Sequence, residues 1–319
     1  LRCIDCNLPK IAVNSLSHLL ASNRHSEYIK LNCLMLFQWE ICSSRKDGVE
    51  GHDILFFIFA ELAVAVAAVP VPEFEIEITC NIPGIPCDEK NIAYKAAVAF
   101  FEGTEKENCG IRIHIEKKIP FEAGLAGGSA DAAATLVALN ELFDNALSES
   151  ELLSLGASLG ADVPFCISCG THYSDGRGDI LHSFPLIDEG AIFVVACGGE
   201  GVSTPWGYKL LDQTFDSFNG YSPVGCEALR DAIENGEPLD FAFHLFNIFE
   251  APVIAERPVA KRLLEALRES GALAARMSGS GPSVFGVFDC LESAERALAA
   301  ISPIECFACI CYPRGKRNS

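Results

Sequence analysis

A glycine-rich segment followed by a run of alanines restricts the fold of this chain more than any other feature of its sequence. Residues 120–133 read Pro-Phe-Glu-Ala-Gly-Leu-Ala-Gly-Gly-Ser-Ala-Asp-Ala-Ala. Glycine allows positive φ and close approach of a ligand to the backbone, and a helix that starts near Ser129 would point its unpaired N–H groups at the loop. The segment therefore predicts a phosphate-binding loop at a helix N-terminus. The alternative is an ordinary strand-to-helix turn in which Ser129 or Asp131 caps the helix.

Two common nucleotide-binding loops are excluded by the same residues. No Gly-Lys-Ser/Thr follows the glycines, and the spacing of the dinucleotide-binding fingerprint is absent.

The chain carries 24 Lys and Arg against 43 Asp and Glu, a net charge of −19, so we expect no general affinity for nucleic acid. An anionic ligand would have to be bound by local donors such as backbone amides.

Hydrophobic periodicity predicts an α+β protein of about two domains. Strands are predicted at residues 28–37, 73–79, 111–116, 191–197, 284–288 and 305–312. Helices are predicted at 91–102, 148–159, 227–235, 259–270 and 291–300, besides the one that follows the glycine loop. The order of elements in the second half, which begins near Phe184, predicts an antiparallel sheet with helices on one face.

Residues 54–60 and 62–71 form an apolar stretch with Glu61 in its middle and Pro70 and Pro72 at its end. We interpret it as buried strands, because β-branched and aromatic residues dominate and a membrane-spanning helix needs ~20 apolar residues with few charges. A membrane anchor is the alternative. No secretory signal opens the chain, since Arg2, Asp5 and Lys10 interrupt any apolar segment, so we expect a cytoplasmic protein that binds neither membrane nor nucleic acid.

The 15 cysteines include three close groups, which are Cys3 with Cys6, Cys166 with Cys169, and Cys306 with Cys309 and Cys311. Such pairs could supply parts of a zinc site. We interpret them instead as small apolar residues in buried strands, because Cys166 and Cys309 lie within apolar runs.

The glycine loop resembles the central motif of the GHMP kinase superfamily, and residues 277–286 (Met-Ser-Gly-Ser-Gly-Pro-Ser-Val-Phe-Gly) are similar to its third motif. Both motifs in the same order are far more specific than either alone. Further segments at 91–97, 159–165, 203–209 and 245–250 resemble, within that superfamily, the 4-diphosphocytidyl-2-C-methyl-D-erythritol kinases of the non-mevalonate isoprenoid pathway.

The resemblance implies a GHMP kinase fold, with an N-terminal domain like domain 2 of ribosomal protein S5 and a C-terminal ferredoxin-like α/β sandwich. We place the first domain at residues 29–183 and the second at 184–319, with 1–28 as an N-terminal extension. It further implies a monomer or homodimer that phosphorylates the 2-hydroxyl of a small-molecule substrate, a methylerythritol linked to cytidine diphosphate, with ATP and Mg²⁺. Alternatives are a mevalonate- or homoserine-type kinase, or a catalytically impaired nucleotide-binding protein.

The same resemblance assigns site residues. The residues implied for ATP lie in the two glycine-rich motifs, and Ser129 is also implied to face Mg²⁺. They are Pro120, Ala123, Gly124, Leu125, Ala126, Gly127, Gly128, Ser129, Ala130 and Gly279. Those implied for the second substrate are Asn32, His52, Thr204 and Tyr208, where the aromatic ring of Tyr208 would stack on cytosine. For His52 and Tyr208, a turn histidine and a partly buried helix aromatic are the alternatives.

Catalysis is assigned to Asp162 and Lys30. Phosphoryl transfer needs a group that accepts the proton of the attacking hydroxyl, and Asp162 matches the family's catalytic aspartate. From the residues alone, a turn or cap aspartate in Gly-Ala-Asp-Val-Pro is equally open. Lys30 would lie beside it and stabilise negative charge, although the first motif departs from the family pattern between Lys30 and His52, and Lys10 is a weaker candidate for this lysine. A lysine that protects a strand edge is the alternative for Lys30.

Overall fold

The computed structural model of the protein describes residues 29–42, 52–70, 75–104, 110–175, 180–184, 190–214 and 227–313. For the first two strands, the description covers the backbone alone. The predicted extension 1–28 lies outside the described residues, as do Lys10, Cys3 and Cys6.

The first half of the chain builds a six-stranded mixed sheet. Its strands are β1 Ile29–Cys42, β2 His52–Pro70, β3 Ile76–Cys80, β4 Ile111–Lys117, β5 Thr171–Asp175 and β6 Ile180–Phe184. The order is β3-β4-β2-β5-β6, and β1 also pairs with β2. The apolar stretch is thus one strand of 19 residues, long enough to pair with β1 along its length, with β4 at residues 64–70 and with β5 at 54–56. The pair β3–β4 is parallel and the other pairs are antiparallel.

Four helices accompany this sheet: α1 Ile92–Thr104, α2 Gly127–Leu142, α3 Glu149–Leu159 and α4 Val163–Ser168. Helix α2 lies at their centre, in contact with α1, α4, β1 and β2. Its run of alanines explains this position, because small side chains let several neighbours approach one helix, and most of its residues are buried. Ser148 begins α3 with a capping box, in which Ser148 Oγ accepts from the Glu151 amide and the Glu151 carboxylate accepts from the Ser148 amide.

The second half builds a four-stranded antiparallel sheet from β7 Ile192–Cys197, β8 Ala274–Met277, β9 Val284–Phe288 and β10 Phe307–Cys311, in the order β10-β7-β9-β8. Its helices are α5 Thr204–Thr214, α6 Glu227–Asn235, α7 Glu250–Glu256, α8 Pro258–Glu269 and α9 Leu291–Ile301, with a 3₁₀ helix at Asp240–His244. Helix α8 buries Ala260, Leu263, Leu264 and Leu267, the apolar stripe that its periodicity predicts.

The two halves share a hydrophobic core. One face of the second sheet packs with α8 and α9, as the sequence predicts. The other face, with Phe193 and Phe285, belongs to the same buried cluster as α1, α2 and β4 of the first half. This arrangement confirms the predicted α+β class. The proposed domain boundary, between 183 and 184, falls at the last residue of β6 and remains a proposal.

The cysteines predicted in buried strands differ in their outcome. Cys166 and Cys169 are buried, but they lie in and directly after helix α4, so the prediction of a buried strand at Cys166 is wrong. Cys309 does lie in a strand, β10. In the described ranges, no three His, Cys, Asp or Glu side chains are grouped so as to hold a metal ion. None of the helices described is both long and apolar enough to cross a membrane.

Candidate active site

The glycine loop connects β4 to α2 and turns on three residues with positive φ. These are Glu122, Gly124 and Ala126, at φ values of 51°, 70° and 46°. Ala126 occupies the N-cap position in the left-handed region and makes no side-chain cap, so α2 begins at Gly127. The alternative in which Ser129 or Asp131 caps the helix is therefore wrong. The first intrahelical bond runs from the Ala130 amide to the Ala126 carbonyl, which leaves the amides of 127–129 ahead of it for a ligand.

The second glycine-rich segment holds the first one in place. Ser278 Oγ donates to the Gly124 carbonyl at 2.9 Å, and the Ser283 amide donates to the Ala123 carbonyl at 3.2 Å. A Cβ at Gly124 would stand 2.5 Å from the Ser278 carbonyl oxygen, so only glycine lets the two backbones approach this closely. Two motifs 154 residues apart thus form one structural unit.

Hydrogen bonds from the side chain of Asn247 hold the second glycine-rich segment, residues 277–286, in place. Its Nδ2 donates to the carbonyls of Met277 and Gly279, both at 2.8 Å, and its Oδ1 accepts from the Phe249 amide at 2.9 Å. The side chain is buried, and these are three of the bonds that an amide side chain can make. Asn247 therefore supports the glycine-rich unit just ahead of α7.

A cavity of about 460 Å³ opens in front of this unit. Residues 120–129 line it, and so do Asp162, Thr204, Tyr208 and Ser280. Two residues expected at the nucleotide, Ala130 and Gly279, do not line this cavity. Ala130 is buried in α2, and in the second glycine-rich segment it is Ser280 that lines the cavity. The structure thus brings together the predicted phosphate loop, the predicted base and two predicted substrate residues.

Asp162 stands at the N-cap position of α4, but its side chain makes no capping hydrogen bond. The residue is half-buried against the cavity, and burial raises the pKa of its carboxyl from 3.8 to about 6. A carboxylate that is not used as a cap and faces a cavity with a shifted pKa has the features of a functional acid or base.

Thr204 and Tyr208 both lie on α5, one helical turn apart. The ring of Tyr208 meets the ring of Phe249 edge to face, with centroids 5.0 Å apart. The segment that leads into α5 is tied to the glycine loop, because the Val202 amide donates to the Glu122 carbonyl at 3.0 Å. Nearby, the Arg257 guanidinium lies 4.3 Å over the Trp206 ring. These contacts hold the two predicted substrate residues at one wall of the cavity.

Sequence reasoning missed one pair of charged residues in this region. Lys117, the last residue of β4, lines the cavity, and its Nζ donates to Asp131 Oδ2 at 2.6 Å and to the Gly127 carbonyl at 2.8 Å. Asp131 is therefore an ion-pair partner within α2. The available signal was the pattern of β4, where buried isoleucines alternate up to Ile115 and put Lys117 on their inward side.

Lys30, Asn32 and His52 lie in the part of the chain whose backbone alone is described. Lys30 and Asn32 are in β1, paired with Ala67 and Ala65, and His52 opens β2 opposite Cys42. Strand β1 contacts α2 and α4, the helices that begin at the glycine loop and at Asp162. The side chains of these three residues lie outside what the structure describes, and their roles stay predictions.

Known proteins match this arrangement. The model of the GHMP kinases N-terminal domain matches residues 91–170, and that of the GHMP kinases C-terminal domain matches 226–305. A 4-diphosphocytidyl-2-C-methyl-D-erythritol kinase from Acaryochloris marina is 37% identical over 83% of this chain and 87% of its own length. A kinase of the same name from Caldicellulosiruptor bescii is also 37% identical, over 87% of this chain and 94% of its own.

Solved structures agree with these sequence matches. A crystal structure of 4-(cytidine 5'-diphospho)-2C-methyl-D-erythritol kinase superposes with a TM-score of 0.69 and 28% identity, over 89% of this chain and 99% of the other. Homoserine kinase from Cytophaga hutchinsonii superposes with a TM-score of 0.68 at 19% identity, over 93% and 98% of the two chains, and shares the fold.

Proposed function

We propose that this chain, which belongs to the GHMP kinases, transfers a phosphoryl group from ATP to the 2-hydroxyl of 4-diphosphocytidyl-2-C-methyl-D-erythritol. As a member of that family it is an ATP-dependent small-molecule kinase. The named substrate is supported by relatives that carry this name over most of the chain. The observation that carries the proposal is a single cavity lined by both the glycine loop and Asp162.

The glycine loop is the proposed seat of the triphosphate. The amides of 127–129 precede the first acceptor within α2, and the positive end of the helix dipole stands behind them. These donors bind phosphate oxygens without adding a full positive charge. This agrees with a chain that is acidic overall and binds its anion locally.

Asp162 is the proposed general base. Its carboxylate takes the proton of the substrate hydroxyl while the hydroxyl oxygen forms a bond to the terminal phosphorus of ATP. The bond from that phosphorus to its bridging oxygen breaks, and ADP leaves. With a pKa of about 6, the carboxyl is mostly ionised at neutral pH and is a stronger base than an exposed aspartate. Lys30 is the proposed partner that stabilises negative charge during transfer.

The wall formed by α5 is the proposed site of the second substrate. Tyr208 offers a ring to the cytosine, and its edge contact with Phe249 holds that ring in place. Thr204, at the start of α5, would contact the same ligand, with Asn32 and His52 completing the site. The position of Tyr208 at the cavity, in addition to its packing on Phe249, supports this role.

Mg²⁺ fits the oxygen donors at this cavity. Ser129 supplies a hydroxyl at the start of α2, and Mg²⁺ in nucleotide-binding sites is commonly held by such a group together with substrate phosphates and water. When bound, the ion neutralises charge on the phosphate oxygens. We propose Ser129 as the protein contact of this ion. We further propose a cytoplasmic protein, acting as a monomer or homodimer.

Turnover by the purified full-length chain tests this proposal directly. With ATP, Mg²⁺ and the cytidylyl substrate, we expect ADP release together with a phosphomonoester on the substrate, seen by phosphorus NMR. Asp162→Asn should lower kcat by about 10²–10⁴-fold while ATP still binds. Release of ADP with mevalonate or homoserine instead would reassign the substrate. Nucleotide binding with no transfer to any of the three alcohols would show a catalytically impaired member.

A further inference from the structure

Lys117 and Asp131 form a buried ion pair at the start of α2, and Lys117 also lines the cavity. The two side chains are 2% and 5% exposed, and their Nζ and Oδ2 atoms are 2.6 Å apart. The second carboxylate oxygen, Oδ1, is buried without a hydrogen-bond partner among the described residues. Lys117 is therefore the group, within the described part of the chain, that compensates the charge of Asp131. A buried carboxylate without such a partner is costly.

The same ammonium also binds the backbone of the loop. Lys117 Nζ donates to the Gly127 carbonyl at 2.8 Å, and a Cβ added to Gly127 would stand 3.2 Å from this nitrogen. The peptide unit between Gly127 and Gly128 is planar and trans, so its C=O and N–H point in opposite directions. Fixing the carbonyl on Lys117 therefore also fixes the direction of the Gly128 amide.

The lysine itself is held at its backbone. The Lys117 amide donates to Asn81 Oδ1 at 2.7 Å, and Asn81 Nδ2 donates back to the Lys117 carbonyl at 3.1 Å. These two hydrogen bonds with Asn81, the residue that follows β3, fix the end of β4. From this fixed end of the strand, the lysine side chain reaches the Gly127 carbonyl at the start of α2.

We propose that Lys117 and Asp131 form a positioning pair for the triphosphate. Lys117 holds the Gly127–Gly128 peptide so that the amides of 127–129 face the anion, and it neutralises a carboxylate that would otherwise repel phosphate from the first turns of α2. Asp131 in turn holds the ammonium group within hydrogen-bond distance of the Gly127 carbonyl. The inference rests on the proposed binding of ATP at this loop and adds two residues to it.

An alternative role for the pair is stability alone. Many buried ion pairs can be replaced by apolar residues at little cost, provided that both partners are removed together. The two roles differ in what the double replacement does. If the pair only stabilises the fold, removing both charges restores stability and ATP binding together. If Lys117 positions the loop, removing both restores stability but leaves the Gly127 carbonyl without its donor.

The experiment compares four proteins by calorimetry with ATP and by urea unfolding. They are the wild type, Lys117→Met, Asp131→Leu and the variant with both changes. We expect the dissociation constant for ATP to rise about tenfold or more in Lys117→Met, from the loss of a charged hydrogen bond. We expect the double variant to regain much of the unfolding midpoint lost in the single ones, but not the affinity for ATP. Lys118→Met, at the exposed neighbouring lysine, is the matched control and should change neither.

The outcomes separate this inference from the proposed function. Recovery of ATP affinity in the double variant, in parallel with its stability, would overturn the positioning role. So would Lys117→Met binding ATP as the wild type does. A wild type that binds no ATP at all would overturn the proposed function instead. If Lys117→Met fails to fold, the double variant alone decides, because it contains no unpaired buried charge. The KM for the alcohol substrate should stay within about twofold throughout, since Tyr208 and Thr204 lie on α5, whereas the Lys117 ammonium bonds to Gly127 and Asp131.

Discussion

Asp162 shows how the surroundings of one residue set its chemistry. The side chain stands at the N-terminus of α4, where an aspartate commonly caps the helix, yet it makes no such bond. Because the carboxyl is buried without that compensation, its pKa rises to about 6. The same withdrawal from water makes the carboxylate a better proton acceptor and leaves it facing the phosphate loop across the cavity.

The pH dependence of turnover follows from this pKa. The base acts in its deprotonated form, so we expect kcat/KM to rise with pH through about 6 and to level off above pH 7. Below the pKa, the rate should fall by about tenfold per pH unit. Phosphate groups also titrate near pH 6. The residual activity of Asp162→Asn therefore serves as the control, and its profile should lack the part due to the carboxyl. A profile that is the same in both proteins would contradict the role of Asp162.

Tyr208 is the second residue for which a specific outcome is expected. Replacing it with leucine removes the ring, so the KM for the cytidylyl substrate should rise about tenfold, as expected for the loss of base stacking. Tyr208→Phe keeps the ring and its edge contact with Phe249 and should remain close to the wild type. Steady-state kinetics with each substrate varied in turn checks this, and the KM for ATP should not change. An equal rise for both substrates would point to general damage at this wall.

At the scale of elements, the site depends on how two loops from different halves of the chain meet. The Gly124 carbonyl accepts from Ser278 Oγ, and the Ala123 carbonyl accepts from the Ser283 amide. The contact is possible because Gly124 has no Cβ and has φ of 70°. The loop therefore owes part of its shape to residues that follow it by 154 positions.

Gly124→Ala tests this contact. The new Cβ would stand 2.5 to 2.8 Å from three backbone atoms of Ser278 and Gly281, in a conformation that alanine adopts at a cost of about 1–2 kcal/mol. We expect the free energy of unfolding to fall by about 3 kcal/mol or more, together with a loss of ATP affinity. Gly103→Ala is the matched control, because its Cβ would meet nothing within 4 Å and the exchange should stabilise α1 by about 0.5–1 kcal/mol. Urea unfolding of both variants gives the comparison, and a Gly124→Ala protein as stable as the wild type would contradict it.

Strongly periodic elements could be predicted from the sequence with accurate bounds. The helix at Glu227–Asn235 and the strand at Val284–Phe288 have the predicted ends, and α1, α3, α8 and α9 differ from prediction by one or two residues. Short elements were missed where periodicity has too few residues to show. These are α4, α7, β5, β6, β8 and the 3₁₀ helix, each of four to seven residues. Helix α5 was also missed, because its proline and glycine near the start are typical of a loop.

The site was predictable to the extent that its residues lie within motifs. The glycine loop, Asp162, Thr204 and Tyr208 do line one cavity. Asn247 was not assigned a role at the loop, because it acts through bonds to the backbone carbonyls of Met277 and Gly279. Lys117 was missed although the alternation of β4 puts it on the buried side, because its bond to the Gly127 carbonyl exists only where β4 meets α2. Such bonds leave no spacing in the sequence. They depend on the tertiary meeting of β4 with α2 and of the segment before α7 with the strand-to-loop junction at Met277.

For the molecule as a whole, the cavity couples the two sheets. The glycine loop comes from the first half, while Val202, Thr204, Tyr208 and Ser280 come from the second. The halves also share a buried cluster that includes Phe193 and Phe285. A ligand that occupies the cavity therefore touches both, and its binding free energy stabilises both against unfolding.

Unfolding with and without ATP tests this coupling. We expect one calorimetric transition for the full chain, and ATP at 100 times its dissociation constant should add about 2.7 kcal/mol to the free energy of unfolding, since it binds the folded state alone. The midpoint should then rise by several degrees, because about 1 kcal/mol corresponds to 2–4 °C in a chain of 150–250 residues and to less in a longer one. Asp162→Asn, which keeps the loop, should show a shift of similar size. Two transitions, of which ATP moves only one, would mean that the halves fold independently and that the nucleotide is bound by one half without the other.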